Sequence, residues 1–166
     1  MRSVDLIAAY TRTYLSTNNS LIGSTIAART LPATSNNGAY FAPFRVPDDA
    51  DPTVGLDIVA LISPATNSTG SGLGCLMRLE WTRAIPGGAQ STGTVDNLFS
   101  VPDPWNYGEQ AEIMFDAGAG HTFAPGTFTP GDWIGVRIVR MGADAADTMI
   151  PVALLAESAR MDYQVA

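Results

Sequence analysis

Hydrophobic and polar residues alternate most regularly between Trp133 and Arg140. One side of an extended chain carries the β-branched residues Ile134, Val136 and Ile138. The other side carries Trp133, Gly135, Arg137 and Val139. A period of two with β-branched residues predicts a strand, and the turn signal Pro130-Gly131-Asp132 stands directly before it.

Short apolar runs separated by Gly- and Pro-rich loops continue this pattern from residue 39 to the end of the chain. The runs that predict strands are Ala39–Val46, Leu56–Ile62, Leu73–Trp81, Gly93–Val101, Glu109–Phe115, Thr122–Thr129, Trp133–Arg140 and Ile150–Tyr163. No long helical period interrupts them. The pattern predicts an all-β fold, a jelly-roll-like antiparallel β-sandwich of about eight strands that spans residues 39–166.

Residues 1–38 have a different character, because scattered apolar residues lie between breaks rich in Ser, Thr and Asn. One interpretation is an N-terminal arm that gains order by lying on another molecule or a neighbouring subunit. The other is an ordinary first strand or helix of the domain, and the pattern leaves helical and extended forms open. In the arm interpretation Tyr10, Tyr14 and Leu15 are candidate contact residues.

Composition and charge restrict the classes of partner. Hydrophobic residues make up 46% of the 166 residues, which is enough for a core, and the net charge is −7. All nine basic residues are Arg. This acidic balance argues against nucleic-acid and anionic-membrane partners. We see neither a run of the ~20 apolar residues that a membrane span needs nor a signal peptide, so we expect nothing to route the chain out of a cytoplasm.

Candidate chemistry is sparse. The single Cys75 lies in an apolar run, and we expect it to be buried and inert; the single His121, between glycines, we expect to be solvated. The aspartates of residues 48–51 are expected to form a solvated loop. Asp144 and Asp147 suit an ion, an Arg pair or turn caps, of which we favour caps. The sequence therefore predicts no metal, no cofactor and no catalytic residues.

The loop from Pro102 to Gly108 carries two aromatic residues, Trp105 and Tyr107. An aromatic pair on a proline-fixed loop suits stacking on a sugar or burial in a subunit contact. Folding of Trp105 back over its own domain is the alternative. We take Trp105 and Tyr107 as candidate interaction residues.

The last 35 residues carry a resemblance. They combine Pro130-Gly131-Asp132, the strand that ends in Arg137-Ile138-Val139-Arg140, the loop Asp144-Ala145-Ala146-Asp147-Thr148 and a final strand that ends in Asp162-Tyr163. This pattern resembles small jelly-roll structural proteins of tailed bacteriophages. The resemblance implies a virion protein that decorates heads, builds spikes or fibres or sits in tails, commonly as a trimer, with no catalytic residue to carry over.

These observations together predict a bacteriophage virion structural protein and no enzyme. The first hypothesis is a capsid decoration or cement protein on the capsid surface, a homotrimer that binds the major capsid protein and stabilises the shell. The alternative is a head-spike, tail or fibre domain that binds a host-surface glycan through Trp105 and Tyr107. A carbohydrate-acting enzyme on the same architecture is a third hypothesis.

Overall fold

The structure, a computed structural model, describes residues 1–7, 19–22, 26–118 and 120–166. Within these ranges it contains strands and no helix, and therefore no helix that could span a membrane. The strands are β1 (Arg2–Ile7), β2 (Asn19–Ile22), β3 (Ile26–Leu31), β4 (Asn36–Tyr40), β5 (Phe44–Arg45), β6 (Asp57–Pro64), β7 (Gly74–Ala84), β8 (Gln90–Ser100), β9 (Ala111–Met114), β10 (Trp133–Met141) and β11 (Ala153–Tyr163).

The strands form two antiparallel sheets. The six-stranded sheet has the order β2-β3-β11-β6-β9, and β1 also pairs with β11. The five-stranded sheet has the order β4-β10-β7-β8, and β5 also pairs with β10. The quartets β3-β11-β6-β9 and β4-β10-β7-β8 are the two four-stranded sheets of a jelly roll, which confirms the predicted fold class.

The core lies between the two sheets and follows the predicted alternation. Ile134, Val136 and Ile138 of β10 are buried, whereas Trp133 on the opposite face is exposed. Cys75 of β7 is a buried free thiol, and burial raises its pKa to about 12. Alternate residues of each sheet thus remove apolar surface from water, which is the dominant favourable term in folding.

Strand β11 organises the six-stranded sheet, because β1 and β3 lie one after the other along the same edge of it. Val4 stands opposite Met161, and Ala28 stands opposite Ala156. The described residues of segment 1–38 therefore supply strands to the sandwich, and the boundary drawn at residue 38 falls inside β4. Contact of this segment with a capsid or a neighbouring subunit stays a prediction.

Strand β10 has a similar arrangement on its outer edge, where β4 and β5 follow each other. The predicted single strand Ala39–Val46 is divided in two here. The N–H of Phe41 still donates to the carbonyl of Val136 at 3.0 Å, but Pro43 has no N–H with which to continue the ladder. The interruption leaves a notch at this edge of the sheet.

The predicted strand Thr122–Thr129 is wrong. Phe123 makes one isolated bridge to Leu56, and the chain then turns. Pro125 lacks a donor, and Gly126 has a φ of 78°, a left-handed conformation that glycine adopts without strain. Phe128 nevertheless reaches the core. The apolar residues of this segment close one end of the sandwich without forming a strand.

Candidate functional site

The loop from Pro102 to Gly108 is fastened to the domain and carries Trp105 inward. The backbone of Trp105 exchanges hydrogen bonds of 2.8 and 2.9 Å with Ser68. Its ring lies 5.4 Å from that of Phe99 and is only 1% exposed. The prediction that Trp105 forms a surface contact is therefore wrong. Its ring packs against the core, and no face of the ring is left for a ligand. Tyr107 is 51% exposed, and its role in binding stays a prediction.

The other predicted contact residues, Tyr10, Tyr14 and Leu15, lie outside the described residues.

The aspartates of the two acidic loops, at residues 48–51 and 144–147, have hydrogen-bond or ion-pair partners within the domain. Asp48 pairs with Arg45, which holds the pKa of Asp48 below its ordinary value. Asp51 accepts hydrogen bonds from the backbone and hydroxyl of Thr53, which likewise lower its pKa. Asp147 forms an ion pair with Arg140, while Asp144 accepts from the N–H of residue 146. Among the described residues, no three His, Cys, Asp or Glu side chains group so as to hold a metal ion.

His121 differs from the expectation of a solvated loop histidine. Its Nδ1 lies 3.1 Å from the carboxylate of Asp57, and its ring covers the backbone of Gly55, where a Cβ atom would stand only 2.0 Å from the imidazole. Glycine at position 55 therefore makes room for the ring. The pair fixes the loop that follows β9 onto the start of β6.

The outer face of the five-stranded sheet carries exposed aromatic rings beside a groove. Pairing of strands places its side chains in rows that run across the sheet. One row contains Tyr40, Arg137, Glu80 and Thr94. The next contains Gly135, Thr82 and Thr92, and the one after that contains Arg45, Trp133, Ala84 and Gln90.

A groove of about 610 Å³ lies over the middle row. Its lining comes from β4, β7, β8, β10 and the connection between β4 and β5, and consists of Tyr40, Phe41, Pro43, Glu80, Trp81, Thr82, Thr92, Gly93, Thr94, Gly135, Val136 and Arg137. The lining includes no residue of the six-stranded sheet, so the groove opens outward and does not enter the core. Its volume is typical of a small-molecule site.

Gly135 creates the depth of this groove. A Cβ atom built at position 135 meets nothing within 4 Å, so the space above the strand is open. Glycine in the interior of a strand weakens it and often marks a close approach of a ligand or another backbone. Here it leaves a gap between the rows that hold Tyr40 and Trp133.

Two aromatic side chains flank the gap. Tyr40 is 51% exposed and Trp133 is 47% exposed, and both point away from the core. The guanidinium carbon of Arg137 lies 5.1 Å from the centre of the Tyr40 ring, a cation–π contact that restrains this ring. Along β10, Arg137 in the row of Tyr40 and Trp133 are four positions apart, a distance of about 13 Å.

The polar groups around the gap are paired ions and hydroxyls. Arg137 Nη1 donates to Glu80 Oε2 at 3.0 Å. The hydroxyls of Thr82, Thr92 and Thr94 make no hydrogen bond to any residue in the described part of the chain. These hydroxyls and the free lone pairs of Glu80 are therefore available to a ligand.

A second ion pair borders the groove on the same face. Arg78 donates to both carboxylate oxygens of Asp96, at 2.6 and 2.8 Å. These hydrogen bonds lower the pKa of Asp96 and raise that of Arg78. The face thus carries its charges as matched pairs.

The alternation along β10 places Trp133 on the strand face opposite Ile134, but it does not join Trp133 to Tyr40. The signal was present in the alternation, which puts Trp133, Gly135 and Arg137 on one side of β10. The pattern does not show how β4 and β10 pair, and it is their register that brings Tyr40 beside Arg137.

Comparison with known proteins finds no family model and no curated protein that matches the chain. Among solved structures, it is similar to TmCBM61 in complex with β-1,4-galactotriose, at 7% identity and a TM-score of 0.38 over 86% of this chain and 72% of that one. It is also similar to the CBM22-1 xylan-binding domain of Paenibacillus barcinonensis Xyn10C, at 8% identity and a TM-score of 0.35 over 98% and 95%. At this level of similarity, neither structure carries an argument about the function of this chain.

Proposed function

We propose that this domain binds carbohydrate on the outer face of its five-stranded sheet. The observation that carries the proposal is that Tyr40, which lines the groove, and Trp133, two residues from Gly135 along β10, both present exposed rings on this face. A pyranose ring presents an apolar face of C–H groups and an edge of hydroxyls. Flat aromatic rings cover the first, and hydroxyl and carboxylate groups bind the second.

The chemistry of the groove favours a sugar over other ligands. An anionic ligand needs unpaired cation, but Arg137 already pairs with Glu80, and the chain carries a net charge of −7. A stable protein partner favours a contiguous apolar patch. The three threonines interrupt the apolar surface between Tyr40 and Trp133 and supply the small polar groups that fix a sugar in place.

This proposal keeps the glycan-binding alternative and moves it from the loop of Trp105 and Tyr107 to the sheet. A glycan-binding domain suits the spike, tail or fibre of a virion as it suits many other settings. The hypotheses of a capsid decoration protein, a homotrimer and a capsid location stay predictions, because no contact among the described residues identifies a capsid protein.

The test is binding of the whole chain to a glycan array, followed by titration with a glycan that binds. Loss of one stacking ring removes the apolar area that it buries against the ligand, which is worth about 25 cal/mol per Å². We therefore expect Tyr40→Ala and Trp133→Ala each to weaken binding by about tenfold or more. Met114→Ala, an exposed apolar residue on the other sheet, is the control and should leave affinity unchanged.

Tyr107→Ala separates the two candidate surfaces, since Tyr107 and Tyr40 are equally exposed. If Tyr107→Ala abolishes binding while Tyr40→Ala does not, the site lies on the loop and the sheet proposal is wrong. Absence of binding to every glycan on the array would refute carbohydrate binding altogether. A thermal melt of each variant confirms that loss of binding is not loss of fold.

A further inference from the structure

The groove on the outer face crosses the strands instead of following them. Its floor is the row Gly135, Thr82 and Thr92, whose members are register partners on β10, β7 and β8. With β4 at one end, the groove passes over four strands. Three inter-strand steps of about 4.8 Å give the groove a length of about 14 Å. This length is more than one sugar ring needs.

Both ends of the groove reach an edge of the sheet. One end lies at β8, the last strand of the order β4-β10-β7-β8. The other lies at the notch between β4 and β5, where Phe41 and Pro43 contribute to the lining. Because all of the lining residues belong to these strands and this connection, no other part of the described chain closes either end. A ligand longer than the groove can continue past both edges.

The groove carries no net charge. Glu80 and Arg137 are the charged groups of its lining, and they pair with each other at 3.0 Å. An anionic sugar placed here would meet the like charge of the Glu80 carboxylate. A cationic sugar would meet the like charge of the Arg137 guanidinium. Burial of an unpaired charge costs free energy, whereas hydroxyl groups add hydrogen bonds to the pair without breaking it.

We infer that the site binds an internal segment of a neutral, linear polysaccharide laid across the strands, and not the terminal sugar of a chain. This inference rests on the proposed function. Open ends admit a chain that continues in both directions, and the paired charges select against uronic acids and sulfate esters. Tyr40 near the notch stacks on one sugar of the segment, and the threonines toward β8 bind hydroxyls of the next.

The first experiment compares polymers with matched backbones by affinity electrophoresis of the whole chain. The pairs are hydroxyethylcellulose with carboxymethylcellulose and dextran with dextran sulfate, and neutral xylan and β-1,4-galactan extend the panel. We expect retardation by at least one neutral polymer and none by the charged member of its pair. Stronger retardation by the polyanions would overturn the inference.

The second experiment titrates oligosaccharides of the neutral backbone that binds. We expect affinity to rise by about tenfold or more from the monosaccharide to the length that spans the groove, and then to level off. Chemical reduction of the terminal sugar should leave the affinity of long oligosaccharides unchanged. Equal affinity for the monosaccharide, or loss of binding after reduction, would overturn the inference while leaving carbohydrate binding intact.

Gly135 provides the variant that tests the position of the chain. Its backbone is not in the left-handed region and a Cβ atom there meets open space, so Gly135→Leu is expected to fold and to fill the floor of the groove. We expect Gly135→Leu to abolish retardation by the neutral polymer and Gly135→Ala to weaken it. Full binding by a folded Gly135→Leu variant would place the ligand elsewhere, and no binding of the unmodified chain to any glycan would refute the proposed function as well.

Discussion

Replacement of Asp147 by Asn tests how the loop between β10 and β11 is held, because it removes one charge from a buried ion pair. The side chains of Asp147 and Arg140 are both fully buried. Arg140 Nε lies 2.9 Å from one carboxylate oxygen and Nη2 lies 2.6 Å from the other. The remaining Arg140 donors bind the carbonyls of Leu31, Met149 and Pro151. An asparagine side chain at this position would keep the shape of the aspartate but leave the guanidinium without a counter-charge.

The expected cost follows from that burial. Removal of one partner of a buried pair leaves an uncompensated charge and typically costs about 3–5 kcal/mol. This is a large part of the roughly 5–15 kcal/mol by which a domain is stable. Asp147 also accepts the N–H of Leu76 at 3.0 Å, so the substitution disturbs the contact of the loop with β7 as well.

Asp96→Asn is the matched control. Asp96 binds Arg78 with the same two-point geometry, but these side chains are 44% and 31% exposed. An exposed pair of this kind contributes about 0–1 kcal/mol because water and salt screen it. The two variants therefore remove the same two-point ion pair and differ in its burial and in the N–H of Leu76, which only Asp147 accepts.

The assay is equilibrium unfolding in urea, followed by tryptophan fluorescence and extrapolated to water. We expect Asp147→Asn to lose at least about 2 kcal/mol more than Asp96→Asn. If the two losses agree within error, the buried pair does not fix the loop and the reasoning from burial is refuted.

Three further predictions concern the core and the backbone. Burial raises the pKa of Cys75 to about 12, so iodoacetamide at neutral pH should alkylate the unfolded chain and spare the native one. Mass spectrometry measures the alkylation, and rapid alkylation of the native chain would contradict the burial. The Thr122 hydroxyl donates to one buried backbone carbonyl at 2.5 Å and accepts from a buried N–H at 2.9 Å, so Thr122→Val should cost about 1–3 kcal/mol in urea unfolding, and a neutral result would show that both groups find other partners. A Cβ atom on Gly38 would stand 2.1 Å from a backbone oxygen of β10, whereas a Cβ atom on Gly135 meets nothing within 4 Å. Gly38→Ala should therefore lower the melting temperature clearly and Gly135→Ala should not. Equal effects of the two substitutions would contradict the close approach of β4 to β10.

Some parts of the fold follow from local pattern. The alternation from Trp133 to Arg140 predicted β10 within one residue of its end and assigned its two faces correctly, because side chains of a strand alternate with a period of two. The count of eight jelly-roll strands was also correct, but one member was not. Ile26–Leu31 forms β3 although its pattern is weak, whereas Thr122–Thr129 is a turn at Pro125 and Gly126.

The asymmetry between these two segments has a physical reason. β3 pairs on one side with β11, a partner more than 120 residues away, and on the other side with β2, so its own sequence need not favour a strand strongly. Phe123 and Phe128 are buried because they close an end of the sandwich, and burial alone does not make a strand. A hydrophobic run indicates that a segment is buried. It does not indicate whether the backbone of that segment pairs with another strand.

The sequence by itself determined the fold class, the strand that displays Trp133 outward and the acidic balance that argues against nucleic acid and anionic membranes. These properties depend on side-chain period and composition, which are local. Tertiary structure decided that Trp105 is buried, that Asp147 meets Arg140, and that Tyr40 shares a face with Trp133 across Gly135. Each of these depends on strand register and loop packing between distant segments, and register is set only when the two sheets close on their common core.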